Sequence, residues 1–183
     1  MEAGDHAPPA ALFVNGTVGS GKTTTASEIG MLLQDRGTSH AIIDLDWLRN
    51  AWPSPADDPF HQQLELQNLA VMARNFLRAG AERIVLAGVI ESATDRRRYD
   101  QALGVPLTVC RLVVPLPRLH SRIIARHEAG AERDWHLARA GELDAILDAA
   151  RVDDVTVDVD DHPPRAVAAE VLRAVCWSDP VGP

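Results

Sequence analysis

The chain has 183 residues, 46% of them apolar, and a formal net charge of −8. These values predict one domain, residues 1–183, with a substantial core, and they argue against nucleic acid or an anionic membrane as a partner, because a polyanion binds to a basic face. Residues 1–9 contain no apolar signal core, and no run approaches the roughly 18 apolar residues of a membrane span, so we expect a cytoplasmic protein.

The first predicted strand, Ala11–Val14, leads directly into a glycine-rich loop and then into a helix over 23–33. The loop has the spacing G-x-x-x-x-G-K-[ST] of a phosphate-binding loop. Its glycines let backbone N–H groups surround a phosphate, and the start of the helix directs the positive end of its dipole at the same anion. We therefore predict a nucleotide site formed by Gly16, Thr17, Val18, Gly19, Ser20, Gly21, Lys22, Thr23 and Thr24.

Lys22 is the only lysine of the chain, since every other member of the 18 basic residues is an arginine. An ammonium on a flexible stem can follow a moving phosphoryl group, whereas a guanidinium is a rigid planar fork. Lys22 is predicted to contact the β and γ phosphates and Thr23 to offer its hydroxyl to Mg²⁺. The alternative is an accidental match in a chain whose coding bias replaced lysine with arginine.

A second strand is predicted at His40–Asp44, with Asp44 and Asp46 at its end. In open α/β sheets, ligands bind outside the carboxyl ends of the strands. In an extended segment residues i and i+2 point the same way, so both carboxylates would face the γ-phosphate. One would orient or deprotonate an acceptor hydroxyl while the other helps to hold Mg²⁺ through water. The alternative is that Asp46 caps a short helical turn at 47–50.

The acceptor-binding region is predicted at about 46–80, with a loop at 53–59 and a helix that ends at Gly80. This region contains three aromatic residues, Trp47, Trp52 and Phe60, with His61 beside them. Aromatic walls suit a ring-bearing or sugar-like ligand. The alternative is that one or two of these residues fill the core. The helix is expected to bury a face made of Leu64, Leu69, Met72, Phe76 and Leu77.

Third and fourth strands are predicted at Arg83–Val89 and Leu107–Val114. Glu91 is the acidic residue nearest the usual Walker B position, and it is predicted to contact Mg²⁺ through water or to contact the acceptor, with a capping or buried carboxylate as the alternative. The arginines at 96–98 would clamp an anionic acceptor, although such a run is more often a solvated face.

Residues 117–150 contain more helix than one crossover requires, and we predict a mobile lid there. The alternative is that its arginines occupy the solvent face of two amphipathic helices; they are Arg118, Arg122, Arg126, Arg133 and Arg139. A fifth strand is predicted at Val155–Val159, and Pro163 and Pro164 open a closing helix. Strands that alternate with helices predict a parallel sheet covered on both faces.

The cysteines and histidines give no metal pattern in the sequence. Cys110 and Cys176 lack CxxC spacing and are predicted to be reduced core residues. His127 and His136 are nine positions apart, which is not a ligand spacing. Ser20 is assigned to the phosphate loop, and Ser92 to a helix cap.

The phosphate loop with Asn15, the Asp44-x-Asp46 pair and the arginine-bearing lid resemble the small P-loop kinases of the nucleoside-monophosphate-kinase superfamily, which includes shikimate and gluconate kinases. Three phrases are also similar to chloramphenicol phosphotransferase: Val14-Asn15-Gly16, Asp46-Trp47-Leu48-Arg49 and Arg78-Ala79-Gly80-Ala81. The resemblance spans most of the chain and implies a three-layer α/β fold with a five-stranded parallel sheet in the order 2-3-1-4-5 and a helical lid.

Residue by residue, the resemblance implies that Asp46 is the base, that Arg122 stacks on the nucleotide base, and that Arg126 or Arg133 closes over the transferring phosphoryl group. The segment Asp160 to Pro163 resembles a loop that contacts the nucleotide base, and Thr23 and Asp44 are the implied metal-site residues. The acceptor contacts implied are Asp44, Asp46, Trp47, Arg49, Trp52 and Glu91. The triple glycine of shikimate kinases and the acceptor pattern of adenylylsulfate kinases are missing. The resemblance therefore does not identify the acceptor of this chain.

The sequence therefore predicts a kinase that uses Mg²⁺ with ATP or GTP to phosphorylate a hydroxyl of a small molecule, either a metabolite or an antibiotic. A nucleoside or nucleotide kinase, a regulatory NTPase and a nucleotide-binding module without catalysis are the alternatives. A GTPase switch needs an N-K-x-D box, which a chain whose only lysine is Lys22 does not contain. The sequence leaves open whether the protein is a monomer or a homo-oligomer.

Overall fold

The computed structural model describes residues 8–159 and 162–177, which form strands and helices in alternation. The strands are β1 Ala10–Asn15, β2 His40–Asp44, β3 Arg83–Ala87, β4 Leu107–Val113 and β5 Val155–Asp158. The helices are α1 Lys22–Asp35, α2 Leu45–Leu48, α3 Gln62–Arg78, α4 Ala93–Leu103, α5 Leu116–Arg126, α6 Ala131–Ala150 and α7 Pro164–Ala174.

The five strands are all parallel and lie in the order β2-β3-β1-β4-β5, which confirms the predicted sheet. The central strand β1 pairs with β3 on one side and with β4 on the other, so Leu12 is opposite both Val85 and Thr108. A strand covered on both faces is apolar throughout rather than alternating, which explains why Ala11 to Val14 are all fully buried. Because the strands are parallel, the ends of β1, β2 and β3 meet at one edge.

Helices cover both faces of the sheet, giving three layers. On one face α1 and α7 contribute Ile29, Leu33 and Val171 to a core cluster that includes Leu12. On the other face α3 and α4 contribute Leu69, Tyr99 and Leu103 to a second cluster, in which the Tyr99 ring meets the Phe13 ring edge-on at 5.1 Å between centroids. The three-layer α/β prediction is therefore confirmed.

Two packing expectations differ from the structure. The buried face of α3 is formed by Glu65, Leu69 and Ala73, while Leu64 is only partly buried. Cys110 is buried in β4, where burial raises the pKa of its thiol to about 12. Cys176 follows the end of α7 at Ala174 and is exposed, although its neighbours Val175 and Trp177 pack against the core, so its assignment to the core was wrong.

The predicted lid corresponds to α5 and α6, and its mobility stays a prediction. The C-terminal half of α6 is bound to the sheet: Arg111 of β4, only 6% exposed, forms ion pairs with Asp144 at 2.8 Å and Asp148 at 2.7 Å. Leu143 and Leu147 of the same half are buried. Within the described residues, no helix combines the length and the apolar composition needed to cross a bilayer.

Candidate active site

A cavity of about 1510 Å³ lies at the carboxyl edge of the sheet, between the phosphate loop, the start of α3 and the helices α5 and α6. Three groups of polar side chains from distant parts of the sequence face it. The first is the phosphate loop, the second is a set of carboxylates after β2 and on α3 and α4, and the third is a set of arginines on α5 and α6.

The phosphate loop forms one wall of the cavity through residues 18–24. Gly21 has φ of 96°, a left-handed conformation that glycine adopts without strain, and it is the N-cap of α1. Gly16 and Thr17 do not belong to the wall formed by the described residues, and their predicted nucleotide contacts stay predictions. The Gly16 N–H donates to Asn15 Oδ1 at 2.9 Å, and Thr17 Oγ1 donates to the Ala140 carbonyl of α6 at 2.8 Å, so both residues support the loop from behind.

Lys22 lies at the base of the cavity, where its Nζ donates to the Thr17 carbonyl at 3.0 Å. Burial lowers the pKa of Lys22 to about 8, although the carboxylates of Asp46 and Asp44 act in the opposite direction. These two carboxylates and the Lys22 ammonium therefore interact electrostatically within one cavity.

Asp44 ends β2 and is also the N-cap of α2, because its Oδ1 accepts the Asp46 N–H at 3.0 Å. Asp46 is consequently helical, and the argument that extended residues i and i+2 point the same way was wrong. Asp44 Oδ2 accepts the hydroxyl of Thr23 at 2.8 Å. A hydroxyl and a carboxylate at this distance are the oxygen donors that Mg²⁺ prefers, so these two residues fit the metal.

The side chain of Asp46 is 74% exposed and forms an ion pair with Arg49, one helical turn later. Arg49 also lies 3.6 Å from Glu65 Oε2, so one guanidinium joins an exposed carboxylate to a buried one. Both Asp46 and Arg49 line the cavity, as predicted for acceptor contacts, and their roles stay predictions.

Glu65 and Tyr99 form a polar floor that the sequence analysis missed. Glu65 is 2% exposed, its Oε1 accepts the Tyr99 hydroxyl, and both residues line the cavity. Burial raises the pKa of Glu65, while the Tyr99 hydrogen bond and the Arg49 charge oppose that rise. The helical spacing in the sequence could have indicated the burial of Glu65, which stands four positions before Leu69 and eight before Ala73, on the buried face of α3.

Asn15 joins the strand ends behind the cavity. It is fully buried, and its Oδ1 accepts the N–H groups of Gly16 at 2.9 Å and Ile90 at 3.1 Å. Its Nδ2 donates to Asp153 Oδ1 at 2.9 Å, and burial raises the pKa of Asp153 even though this hydrogen bond opposes the rise. One amide therefore fixes the entry to the phosphate loop against the loop after β3.

The lid arginines divide into two sets. Arg122, Arg126 and Arg139 line the cavity, whereas Arg133 lies outside the wall formed by the described residues, because it is about 100° around α6 from the side that faces the cavity. Arg122 Nη1 is 3.5 Å from the Gly19 carbonyl. Arg139 forms an ion pair with Glu91 at 2.7 Å, so Glu91 lines the cavity while paired with the lid.

Two further predicted contacts, Trp52 and Pro163, lie outside the described wall of the cavity. Trp47 lines the cavity, but Trp52 is 93% exposed and is not part of the described wall. Pro163 is the N-cap of α7, and its neighbours His162 and Pro164 line the cavity in its place. Asp160 and Asp161 lie outside the described residues.

The arginines at 96–98 are bound to the protein rather than directed at the cavity. Arg96 forms two hydrogen bonds with the carboxylate of Asp154, at 2.8 and 2.7 Å, and Arg98 donates to Gln62 Oε1 at 3.0 Å. Ser92 is the N-cap of α4 as predicted, since its Oγ accepts the Asp95 N–H at 3.1 Å.

Comparison with known families gives one match. The family model described as an AAA domain (AAA_33) matches residues 12–152, which include the phosphate loop, the acceptor-side carboxylates and both lid helices. No curated protein matches the sequence.

Solved structures share the fold at low sequence identity. They include the Mycobacterium tuberculosis APS kinase CysC in complex with AMPPNP and APS, at 23% identity and a TM-score of 0.61, covering 92% of this chain and 97% of that one. A gluconokinase from Sinorhizobium meliloti 1021 has 20% identity and a TM-score of 0.61, covering 92% and 93%. The Deinococcus radiodurans tunicamycin resistance protein has 18% identity and a TM-score of 0.64, covering 92% and 96%. The chain thus has the fold of the P-loop kinase superfamily, as the resemblance implied.

Proposed function

This chain belongs to the AAA domain family, and we propose that it is a kinase that transfers the γ-phosphoryl group of ATP, with Mg²⁺, to a hydroxyl of a small molecule. The proposal depends on one observation: the phosphate loop, the carboxylates Asp44 and Asp46 and three lid arginines face a single cavity. The complex of APS kinase with AMPPNP favours ATP as the donor, and GTP is the second candidate.

The donor end of the cavity is formed by the phosphate loop. The N–H groups of residues 19–24 surround the start of α1, where the helix dipole favours anions. Lys22 would exchange its contact with the Thr17 carbonyl for the β and γ phosphates. Thr23 and Asp44 would hold Mg²⁺, directly or through water, and the ion would neutralise charge on the phosphate oxygens.

At the acceptor end we assign Asp46 as the general base. Its exposed carboxylate is free to approach an acceptor hydroxyl, and Arg49 restricts its orientation. The carboxylate accepts the hydroxyl proton as the acceptor oxygen bonds to the γ-phosphorus and ADP leaves. Glu65 is less suitable as the base because it is buried and already accepts the Tyr99 hydroxyl.

The lid would complete the site. Arg126 is exposed on the cavity side of α5, and it is the arginine we expect to approach the transferring phosphoryl group. Arg139 is already paired with Glu91 and Glu142, so closure would need to redistribute those pairs. Closed helices exclude water, which directs the phosphoryl group to the acceptor rather than to solvent.

The charge of the acceptor end favours certain acceptors. Arg49 lines this end and shares its charge between two carboxylates, while Arg98, outside the described wall, lies 3.7 Å from Asp95. The carboxylates there are Asp46, Asp57, Asp58, Glu65 and Asp95. Such a surface repels anionic ligands, and we therefore expect hydroxylated acceptors that are neutral or carry amines, such as polyols and amino sugars.

A panel of acceptors tests the proposal. Purified protein with Mg²⁺ and ATP is incubated with neutral polyols, amine-bearing sugars and hydroxy acids, and phosphorylated products are identified by mass spectrometry while ADP is measured in parallel. We expect one ADP per phosphorylated acceptor, and no product from the hydroxy acids. ADP release without product would favour a regulatory NTPase, and nucleotide binding without turnover a binding module.

Two variants complete this test. Lys22→Met should abolish transfer while circular dichroism and the melting temperature stay close to wild type. Arg74→Met is the matched control, since Arg74 is an exposed basic residue of α3 outside the described cavity wall. Near-wild-type turnover by Lys22→Met would rule out the proposed role of the phosphate loop.

A further inference from the structure

The turn between α5 and α6 brings together two imidazoles and a carboxylate that the kinase proposal does not use. His127 follows the last residue of α5, and Glu132 and His136 lie on the first turns of α6. Glu132 Oε1 is 3.5 Å from His127 Nδ1 and 3.8 Å from His136 Nε2, and one ligand atom from each residue lies within 4.8 Å of the others. The two rings are 4.5 Å apart between centroids. The spacing of nine residues had indicated no site.

We propose that His127, Glu132 and His136 form a binding site for a divalent transition-metal ion, with Zn²⁺ as the best match. Two imidazole nitrogens and one carboxylate oxygen are ligands that Zn²⁺ accepts at about 2.0–2.2 Å, with a tetrahedral arrangement that separates donors by about 3.3–3.5 Å. The two separations that involve Glu132, 3.5 and 3.8 Å, are near that value, and all three donors lie within 4.8 Å of one another. Water or a ligand in the cavity would supply the fourth donor.

The local structure orients these donors. Glu132 and His136 are four residues apart and therefore lie on one face of α6. The N–H of His127 donates to the Ile123 carbonyl at 3.0 Å, which holds the end of α5 in place. The Trp135 ring lies edge-on to His136 at 5.0 Å between centroids and covers one side of the cluster. The histidine side chains are 22% and 23% exposed, so an ion can enter.

The cluster is poorly explained as a purely structural ion pair. His136 Nδ1 is buried and has no hydrogen-bond partner among the described residues, and its Nε2 is 3.8 Å from the nearest carboxylate oxygen, beyond a hydrogen bond. Neither ring nitrogen of His136 therefore forms a hydrogen bond with a described residue. A metal bound to the cluster would join the end of α5 to the start of α6, close to Arg126 and Arg139.

This site differs chemically from the Mg²⁺ site proposed beside Thr23. Imidazole nitrogen favours Zn²⁺, Ni²⁺ or Cu²⁺, whereas Mg²⁺ favours oxygen ligands. The two sites are thus distinguishable in one solution: millimolar Mg²⁺ fills the oxygen site and leaves the cluster available. Both histidines line the cavity, so the ion would be reachable from it.

The test measures Zn²⁺ binding to the full chain without nucleotide, in millimolar Mg²⁺, by competition with a chromophoric chelator. We expect one tightly bound Zn²⁺ per chain. His127→Gln and His136→Gln should each weaken binding by about 100-fold or more, because each removes a direct ligand. His120→Gln is the matched control, since His120 lies on α5 outside the cluster and the variant should bind as wild type does.

Co²⁺ provides a second readout, because its visible absorption reports nitrogen ligands and tetrahedral geometry without any enzymatic turnover. Glu132→Gln is useful if a histidine variant fails to fold, since Glu132 is 78% exposed and its replacement should leave the fold intact while weakening the metal. Wild-type protein that binds no Zn²⁺, or variants that all bind it unchanged, would overturn the proposal. Neither result depends on phosphoryl transfer, so the kinase proposal would stand or fall separately.

Discussion

The lowered pKa of Lys22 predicts that nucleotide affinity depends on pH in a range where few other groups titrate. Burial brings the pKa of this amine to about 8, while it would be 10.5 in the unfolded chain. A polyphosphate binds the protonated ammonium, so the affinity is full below pH 8 and is lost as the pH rises through that value. Lys22 is the side chain that we propose contacts the transferred phosphoryl group.

The size of the effect follows from the fraction of Lys22 that is protonated. With a pKa of about 8, roughly 90% of the amine is charged at pH 7, about 9% at pH 9 and about 3% at pH 9.5. The apparent dissociation constant varies inversely with this fraction. It should therefore rise about tenfold between pH 7 and pH 9, and about 30-fold by pH 9.5.

Isothermal titration of ATP with Mg²⁺ across pH 7 to 9.5 measures this directly. The chain has no other lysine, and burial raises the pKa values of both Cys110 and Tyr99. Lys22→Arg is the control, because a guanidinium stays charged throughout this range and its profile should be flat. Cys176→Ser removes the exposed thiol and should change nothing. A flat wild-type profile, or an equal slope in Lys22→Arg, would refute the reasoning.

Three other perturbations test the site and its frame. Asp46→Asn should lower kcat by about 10²- to 10⁴-fold with little change in ATP affinity by titration, and a loss of ATP binding instead would identify a metal or structural role. Gly88→Ala should lower the free energy of unfolding in urea by about 1–3 kcal/mol, because the added methyl would lie 2.5 Å from Leu45 Cδ1. Gly141→Ala is the control, since the nearest neighbours of its added methyl are 3.9 Å away; it should leave this free energy unchanged or raise it by up to about 1 kcal/mol. Arg111→Met should speed hydrogen exchange in the C-terminal half of α6 by about tenfold while α1 is unaffected, and unchanged exchange would mean that its two ion pairs contribute little.

The fold was predictable because its signals are local. Each strand is a short apolar run, each helix has turn residues at its ends, and parallel connection follows from their alternation. The phosphate loop was predictable because its motif places glycine where the backbone needs a conformation that other residues rarely adopt. Gly21 has the left-handed conformation that ends the loop and starts α1. Ser92 and Pro164 were likewise identified from their positions at helix starts.

Much of the cavity was not predictable because its contacts join residues far apart in the chain. Asn15 and Asp153 are 138 positions apart, and Tyr99 and Glu65 are 34 apart, so neither pair has a spacing to detect. The conformation at Asp46 was mispredicted for a local reason: Asp44 caps α2, so the helix begins at Leu45, although Asp46 still lines the cavity. Helix phase placed Arg139 rather than Arg133 on the cavity.

The hydrogen bond from Thr17 to the Ala140 carbonyl has a thermodynamic consequence for the two proposed sites. It connects the phosphate loop to α6, the helix that also contains Glu132 and His136. If ATP and Zn²⁺ favour different positions of these two segments, the binding of one changes the free energy of binding of the other. Such coupling is reciprocal, so the factor by which ATP changes Zn²⁺ affinity must equal the factor by which Zn²⁺ changes ATP affinity. Measuring the effect of ATP on Zn²⁺ affinity therefore also gives the effect of Zn²⁺ on ATP affinity.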